Sequence, residues 1–153
     1  MPDHEHILAS DTLLGLSILI VDDEADAREL LAQALSSLGA DVRVVGGAEQ
    51  ARCALATYTP DVLIADIGMP DEDGYSLMRS IRALTHTAKR HIPAIALTAF
   101  SSPAARDRAV RSGFDMHLAK PVQPWILAET LREMAKPQSS ARVEGVAKER
   151  LRM

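Results

Sequence analysis

The chain has 153 residues, enough for one domain with a single buried core, and its 47% hydrophobic and 25% charged content is that of an ordinary soluble globular protein. A net charge of -4 with no basic block argues against direct nucleic-acid binding, since nothing could neutralise several phosphates. The single cysteine, Cys53, excludes an internal disulfide framework and fits a reducing cytoplasm. No run approaches the ~18 apolar residues of a membrane span, and the amino terminus, Asp3-His4-Glu5-His6, lacks the basic and apolar regions of a signal peptide.

Residues 1–15 show no clean period and read as a tail or linker. Leu16 to Val21 is a short apolar run, the expected first strand, and it stops at Asp22-Asp23-Glu24. Ala27, Leu30, Leu31, Ala34, Leu35 and Leu38 recur at helical spacing, with Gly39 as the expected carboxy-terminal cap. Asp41 to Val45 reads as a strand, and Gly46-Gly47 turns the chain into a helix from Ala48 to Thr57. That helix carries Cys53, which reads as a small core residue.

After Pro60 comes the stretch around which the chain is organised, Asp61-Val62-Leu63-Ile64-Ala65-Asp66-Ile67-Gly68-Met69-Pro70. Apolar residues on both faces predict a strand covered on both sides, as in a parallel sheet. Pro70 cannot continue it, which puts Asp66 at its carboxyl end, where open α/β sheets gather their sites. A helix is predicted from Tyr75 to Leu84, with Leu77, Met78 and Ile81 inward, followed by a polar, basic loop to His91. Pro93 opens the strand Ala94 to Thr98. Ser102-Pro103 then starts a helix that ends at Gly113. Asp115 to Leu118 is the fifth predicted strand, and Pro124 starts the last helix, to about Ala135.

Five strands alternating with five helices imply an α/β, doubly wound parallel sheet, because every parallel crossover needs its own helix. Beyond residue 137 the composition turns to Ser, Arg and Lys, a tail in which Val143, Val146 and Leu151 line one side of any short helix. Asp22 and Asp23 follow the first strand, Asp66 and Thr98 end the third and fourth, and Lys120 follows the fifth. Any one has an ordinary reading as a helix-start acid, a β-former or a surface cation. All five converge on one sheet edge.

These motifs resemble the receiver domain of two-component response regulators: Val21-Asp22-Asp23-Glu24, Asp66-Ile67-Gly68-Met69-Pro70 with Gly74, Leu97-Thr98-Ala99, and Lys120-Pro121. The resemblance covers 16–136, leaving 1–15 and 137–153 as tails. It implies a flavodoxin-like sheet of order 2-1-3-4-5. It also implies that Asp66 accepts a phosphoryl group from a sensor histidine kinase or a histidine phosphotransfer protein. Magnesium is the implied cofactor, held by Asp23, Asp66 and the Gly68 carbonyl, with Asp22 acting mainly through water. Thr98 and Lys120 are implied as phosphoryl contacts, Ala99 leaves the phosphate room, and Lys120-Pro121 corresponds to a cis peptide. Wording around Asp66 and Lys120 is similar to receivers joined to hybrid sensor kinases, and a stand-alone regulator is equally compatible with it.

His117 stands where the family usually places its switch aromatic, three residues before the lysine; it reads either as that switch or as an exposed strand histidine. Gly68 and Phe100 flank the expected phosphoryl site and are candidates for setting the lifetime of the phosphate. In the last helix Leu127, Leu131 and Met134 define the buried stripe, which leaves Trp125 and Ile126 as an exposed pair for a homodimer or a downstream protein. The other reading folds Trp125 back over Val122. Two other functions compete with this reading. A haloacid-dehalogenase-type hydrolase needs an acid-base Asp two residues beyond the nucleophile, where this chain has Gly68; a docking module that is never phosphorylated would not need all five polar groups.

Overall fold

The structure, a computed structural model, describes residues 11–85, 87–99 and 102–135. Its elements run β1 (Ser17–Val21), α1 (Ala25–Ser36), β2 (Asp41–Val45), α2 (Ala48–Leu55), β3 (Val62–Asp66), α3 (Gly74–Arg82), a 3-10 turn (Ala88–His91), β4 (Ala94–Thr98), α4 (Pro103–Ser112), β5 (Met116–Ala119) and α5 (Pro124–Ala135). The strands form one parallel sheet of order β2-β1-β3-β4-β5, the flavodoxin-like arrangement expected.

Every residue of β3 and β4 is buried, because each strand feeds two cores. Leu19, Leu63, Ala65, Ala94 and Ala96 face α2, α3 and α4, where Leu55, Leu77, Met78 and Ile81 pack. Ile18, Ile20, Val62, Ile64, Ile95 and Leu97 face α1 and α5, against Leu31, Leu35, Leu127 and Leu131. Strand alternation thus serves both layers, with smaller side chains under α3 and larger ones under α5. The helix ends follow local chemistry. Ser102 caps α4 by accepting from the Ala105 amide at 3.1 Å, and Gly113 closes it at φ +114°. Asp73 caps α3 through the Ser76 amide at 2.9 Å.

Several expectations need correction. Leu13, within the stretch read as a tail, is only 2% exposed, and its amide donates to the Leu38 carbonyl at 2.8 Å. Packed chain therefore begins upstream of Leu16. The regular turns of α1 stop at Ser36, and Gly39 closes the helix as expected: it adopts φ +99°, its amide donates to the Ser36 carbonyl at 2.9 Å and the Ala40 amide donates to the Leu35 carbonyl at 3.3 Å. Leu30 is exposed, since the buried stripe of α1 runs through Leu31 and Leu35, about 100° away. Cys53 is exposed as well, opposite Ala51 and Leu55 on α2. β5 starts at Met116, because the Asp115 carboxylate is occupied by the Ala94 amide at 2.8 Å and Arg82 at 3.2 Å. On α5 the Leu127 and Leu131 stripe is buried and Ile126 is exposed, but Trp125 is half-buried. Phe100, Val143, Val146 and Leu151 lie outside the described residues.

Candidate functional site

The carboxyl ends of β1, β3, β4 and β5 bring the predicted groups together. Asp22 directly follows β1; its amide bonds the Val45 carbonyl, its Oδ1 accepts from the Glu24 amide at 2.9 Å, and it is fully buried. Asp23, next in the chain, is exposed. Adjacent residues leaving a strand point to opposite sides, so one acid is packed and its neighbour faces water. Asp66 ends β3 at 5% exposure and Thr98 ends β4 at 6%. The Lys120 amide donates to the Thr98 carbonyl at 2.8 Å, which carries the ammonium over the same edge.

Lys120 Nζ lies 3.4 Å from Asp66 Oδ2 and 3.7 Å from Asp22 Oδ2. Burial by itself would lower the lysine pKa, but the pull of Asp66 and then Asp22 outweighs it and holds the group above its ordinary value. Asp66 Oδ1 accepts from the Gly68 amide at 3.1 Å. Gly74 comes so close behind that a Cβ there would meet the Asp66 carbonyl oxygen at 2.7 Å, so only glycine fits. The Lys120–Pro121 peptide is cis, as the resemblance implied.

One carboxylate oxygen from each of Asp22, Asp23 and Asp66 lies within 4.8 Å of the others. Among the described residues Asp22 Oδ2 is buried without a hydrogen-bond partner, with the Lys120 ammonium 3.7 Å away. An all-oxygen set with one orphaned carboxylate oxygen fits a hard divalent cation. The cleft above it, about 390 Å³, is lined by Asp23, Asp66, Gly68, Thr98, Ala99 and Lys120. Space beside Gly68 is open.

Other expected residues lie elsewhere. His117 sits on β5, half-buried, with Nε2 buried and lacking a hydrogen-bond partner among the described residues. Trp125 and Ile126 open α5, away from the cleft lining. Sequence reasoning missed Tyr75 and Ala105, which complete the cleft wall, and Arg108, whose guanidinium lies 4.1 Å from the Tyr75 ring centre. Tyr75 directly follows Gly74 at the start of α3, the one signal that could have flagged it.

Residues 18–132 match the family described as the response regulator receiver domain. The chain is 39% identical over 122 residues to an uncharacterized 14.6 kDa protein of Leptolyngbya boryana, spanning 80% of this chain and 92% of that one. It is 35% identical to the sensor histidine kinase RcsC of Escherichia coli over 76% of this chain, but that match spans only 12% of the kinase. Among solved structures, the signal receiver domain of a Syntrophus aciditrophicus signal transduction histidine kinase is 31% identical, with a TM-score of 0.70, covering 80% of this chain and 93% of that one. The receiver domain of the Pseudomonas aeruginosa sensor histidine kinase PA1611, with a magnesium ion coordinated in its active site cleft, is 33% identical with a TM-score of 0.70, over 78% and 96% of the two chains. A five-stranded parallel sheet of order β2-β1-β3-β4-β5 with an acidic cleft at its carboxyl edge is the flavodoxin-like receiver arrangement. The chain belongs to the response regulator receiver domain family. Gly68 stands where a dehalogenase-type hydrolase places its second Asp. No helix among the described residues is long and apolar enough to cross a membrane.

Proposed function

We propose that Asp66 accepts a phosphoryl group from the phosphohistidine of a cytoplasmic sensor histidine kinase or phosphotransfer protein, with magnesium as the cation. The observation that carries this reading is Asp66, nearly buried between Lys120 and two further carboxylates, at the mouth of an open cleft. Asp66 Oδ2 attacks phosphorus in line, a P–O bond forms as the P–N bond to histidine breaks, and the imidazole leaves. Magnesium held by Asp23, Asp66 and the Gly68 carbonyl, with Asp22 behind it, would offset the charge of the two approaching anions. Lys120 then balances a phosphoryl oxygen as a point charge, and Thr98 turns its hydroxyl to another. Ala99, with only a methyl group, leaves room for the product.

The aspartyl phosphate alters a protein-contact surface through Thr98 on β4 and His117 on β5, neighbouring parallel strands on which Thr98 pairs with Ala119 and His117 with Ala96. Trp125 and Ile126 on α5 belong to that surface, facing a downstream protein or a second copy of this chain. The test is transfer from purified, phosphorylated histidine kinases and phosphotransfer proteins. At least one donor is expected to pass its label to the wild type within minutes and none to Asp66→Asn. Label on Asp66→Asn would refute the assignment.

A further inference from the structure

The loop between β3 and α3 is anchored outside the cleft by a charge pair that the phosphoacceptor reading leaves unused. Glu72, on that loop, receives both arms of the Arg52 guanidinium from α2: Nη1 donates to Oε1 at 2.8 Å and Nη2 donates to Oε2. The Ser76 hydroxyl donates to the same Oε2 at 2.7 Å. Arg52 Nη2 and Nε also reach Ser80 Oγ, at 3.1 and 3.3 Å, and that hydroxyl donates to the Leu77 carbonyl at 2.7 Å. One guanidinium on α2 therefore grips both the loop and the body of α3. The Arg52 and Glu72 side chains are 35% and 29% exposed, so the fork contributes geometry more than stability.

That loop carries the residue that aims Asp66. Four positions before Glu72, the Gly68 amide donates to Asp66 Oδ1 at 3.1 Å. Two positions after Glu72, the Gly74 amide donates to the Ile67 carbonyl at 3.0 Å. A short loop tied at one end to Asp66 of β3 and at the other to Ile67, the next residue, has its middle set by whatever holds Glu72. The same pairing also removes a hazard. Asp71, Glu72 and Asp73 are three consecutive acids close in sequence to a cleft already carrying Asp22, Asp23 and Asp66. Arg52 turns Glu72 toward α2 and neutralises it.

We infer that Arg52 and Glu72 are positioning residues, whose fork fixes the β3–α3 loop so that Gly68 orients the Asp66 carboxylate and stays in place at the cation site. The inference rests on the reading of Asp66 as a magnesium-dependent phosphoacceptor. It is tested on the full chain with Arg52→Met, Glu72→Gln, Arg52→Lys and the reversed pair Arg52→Glu/Glu72→Arg. Three quantities are read: amide exchange of Gly68 and Gly74 without metal, the magnesium concentration giving half-maximal labelling by acetyl phosphate, and the melting temperature.

In Arg52→Met and Glu72→Gln, Gly68 exchange should accelerate about tenfold, as for a loop opening locally. Half-saturating magnesium should rise about three- to tenfold, below the 10–100-fold loss typical when a group directly bonded to a metal ligand is removed. The labelling rate at saturating magnesium should stay within about twofold of wild type, since the fork touches neither Asp66 nor phosphate. Arg52→Lys should recover only part of the affinity, because a point charge cannot form the fork, and the reversed pair should recover most of it. Wild-type half-saturation and wild-type Gly68 exchange in both single variants would overturn the inference. So would affinity losses that merely follow melting temperature with no selective change at Gly68. Should the wild type itself take no label, the phosphoacceptor reading falls instead, and Gly68 exchange in the metal-free protein still decides whether the fork fixes the loop.

Discussion

Lys120 joins two carboxylates that would otherwise repel each other across the end of the sheet. Its ammonium, on a side chain 24% exposed, is the nearest compensating charge for the buried Asp22 and for Asp66. Removing it leaves Asp22 Oδ2 buried and uncompensated, so Lys120→Ala should lower metal-free stability by about 1–2 kcal/mol, less than for a fully buried pair. Magnesium should restore more stability to the variant than to wild type, because binding to the native state alone stabilises it. Denaturant melts with and without magnesium check this, and a variant that loses magnesium affinity as severely as Asp23→Asn would contradict the division of roles. At this scale the site was legible. Asp22, Asp23, Asp66, Thr98 and Lys120 could be read because each lies at a strand end marked by its own apolar run. The split between buried Asp22 and exposed Asp23 was not, since adjacent acids look alike until the strand's direction is fixed. Nor was the burial of His117 Nε2 without a hydrogen-bond partner among the described residues, which depends on the packing around β5.

Among the elements, the β3–α3 loop is the most tightly specified by charge. Hydrogen bonds from Arg52 and then Ser76 hold the Glu72 carboxyl at about 2, well below its ordinary 4.5. A depressed acid stabilises the native state fully above its ordinary range and loses that contribution as pH falls toward the folded value. The stability gap between wild type and Glu72→Gln should therefore be constant from pH 7 to about 5 and shrink steadily between 4.5 and 2. Urea midpoints across that range measure it, and a gap independent of pH would mean the pair is not formed in solution. Strand positions and the α4 cap were readable from periodicity and from Ser102-Pro103. The helix faces were less so. Leu30 and Cys53 fit an apolar tally, but only one stripe of α1 and of α2 meets the sheet. Arg52 and Glu72 lie twenty residues apart on different elements, and no local pattern links them.

Over the whole molecule, two cores share one sheet, and the cleft lies where the strands of that sheet end. The parallel order β2-β1-β3-β4-β5 places β1 and β3 side by side, so Asp22 and Asp66 meet by topology rather than by any local turn. That juxtaposition was legible only through the resemblance, since alternation of strands and helices fixes the class of sheet but not its order. Away from the cleft, Ile126 is 36% exposed on α5 while Leu127 and Leu131 are buried. Under the proposed surface, beryllofluoride with magnesium should raise the scattering mass of wild type toward a dimer and leave Ile126→Asp monomeric, with melting temperatures within a degree or so of each other, as for a surface change. Equal masses for the two proteins would remove α5 as the self-contact. The central claim, that this edge is a magnesium-dependent phosphoacceptor, is tested most directly by incubation with acetyl phosphate followed by intact-mass analysis. Wild type should gain the mass of a single phosphoryl group with magnesium and none in EDTA, and Asp66→Asn should gain none in either. Equal labelling of wild type with and without the metal, or substantial labelling of Asp66→Asn, would contradict it.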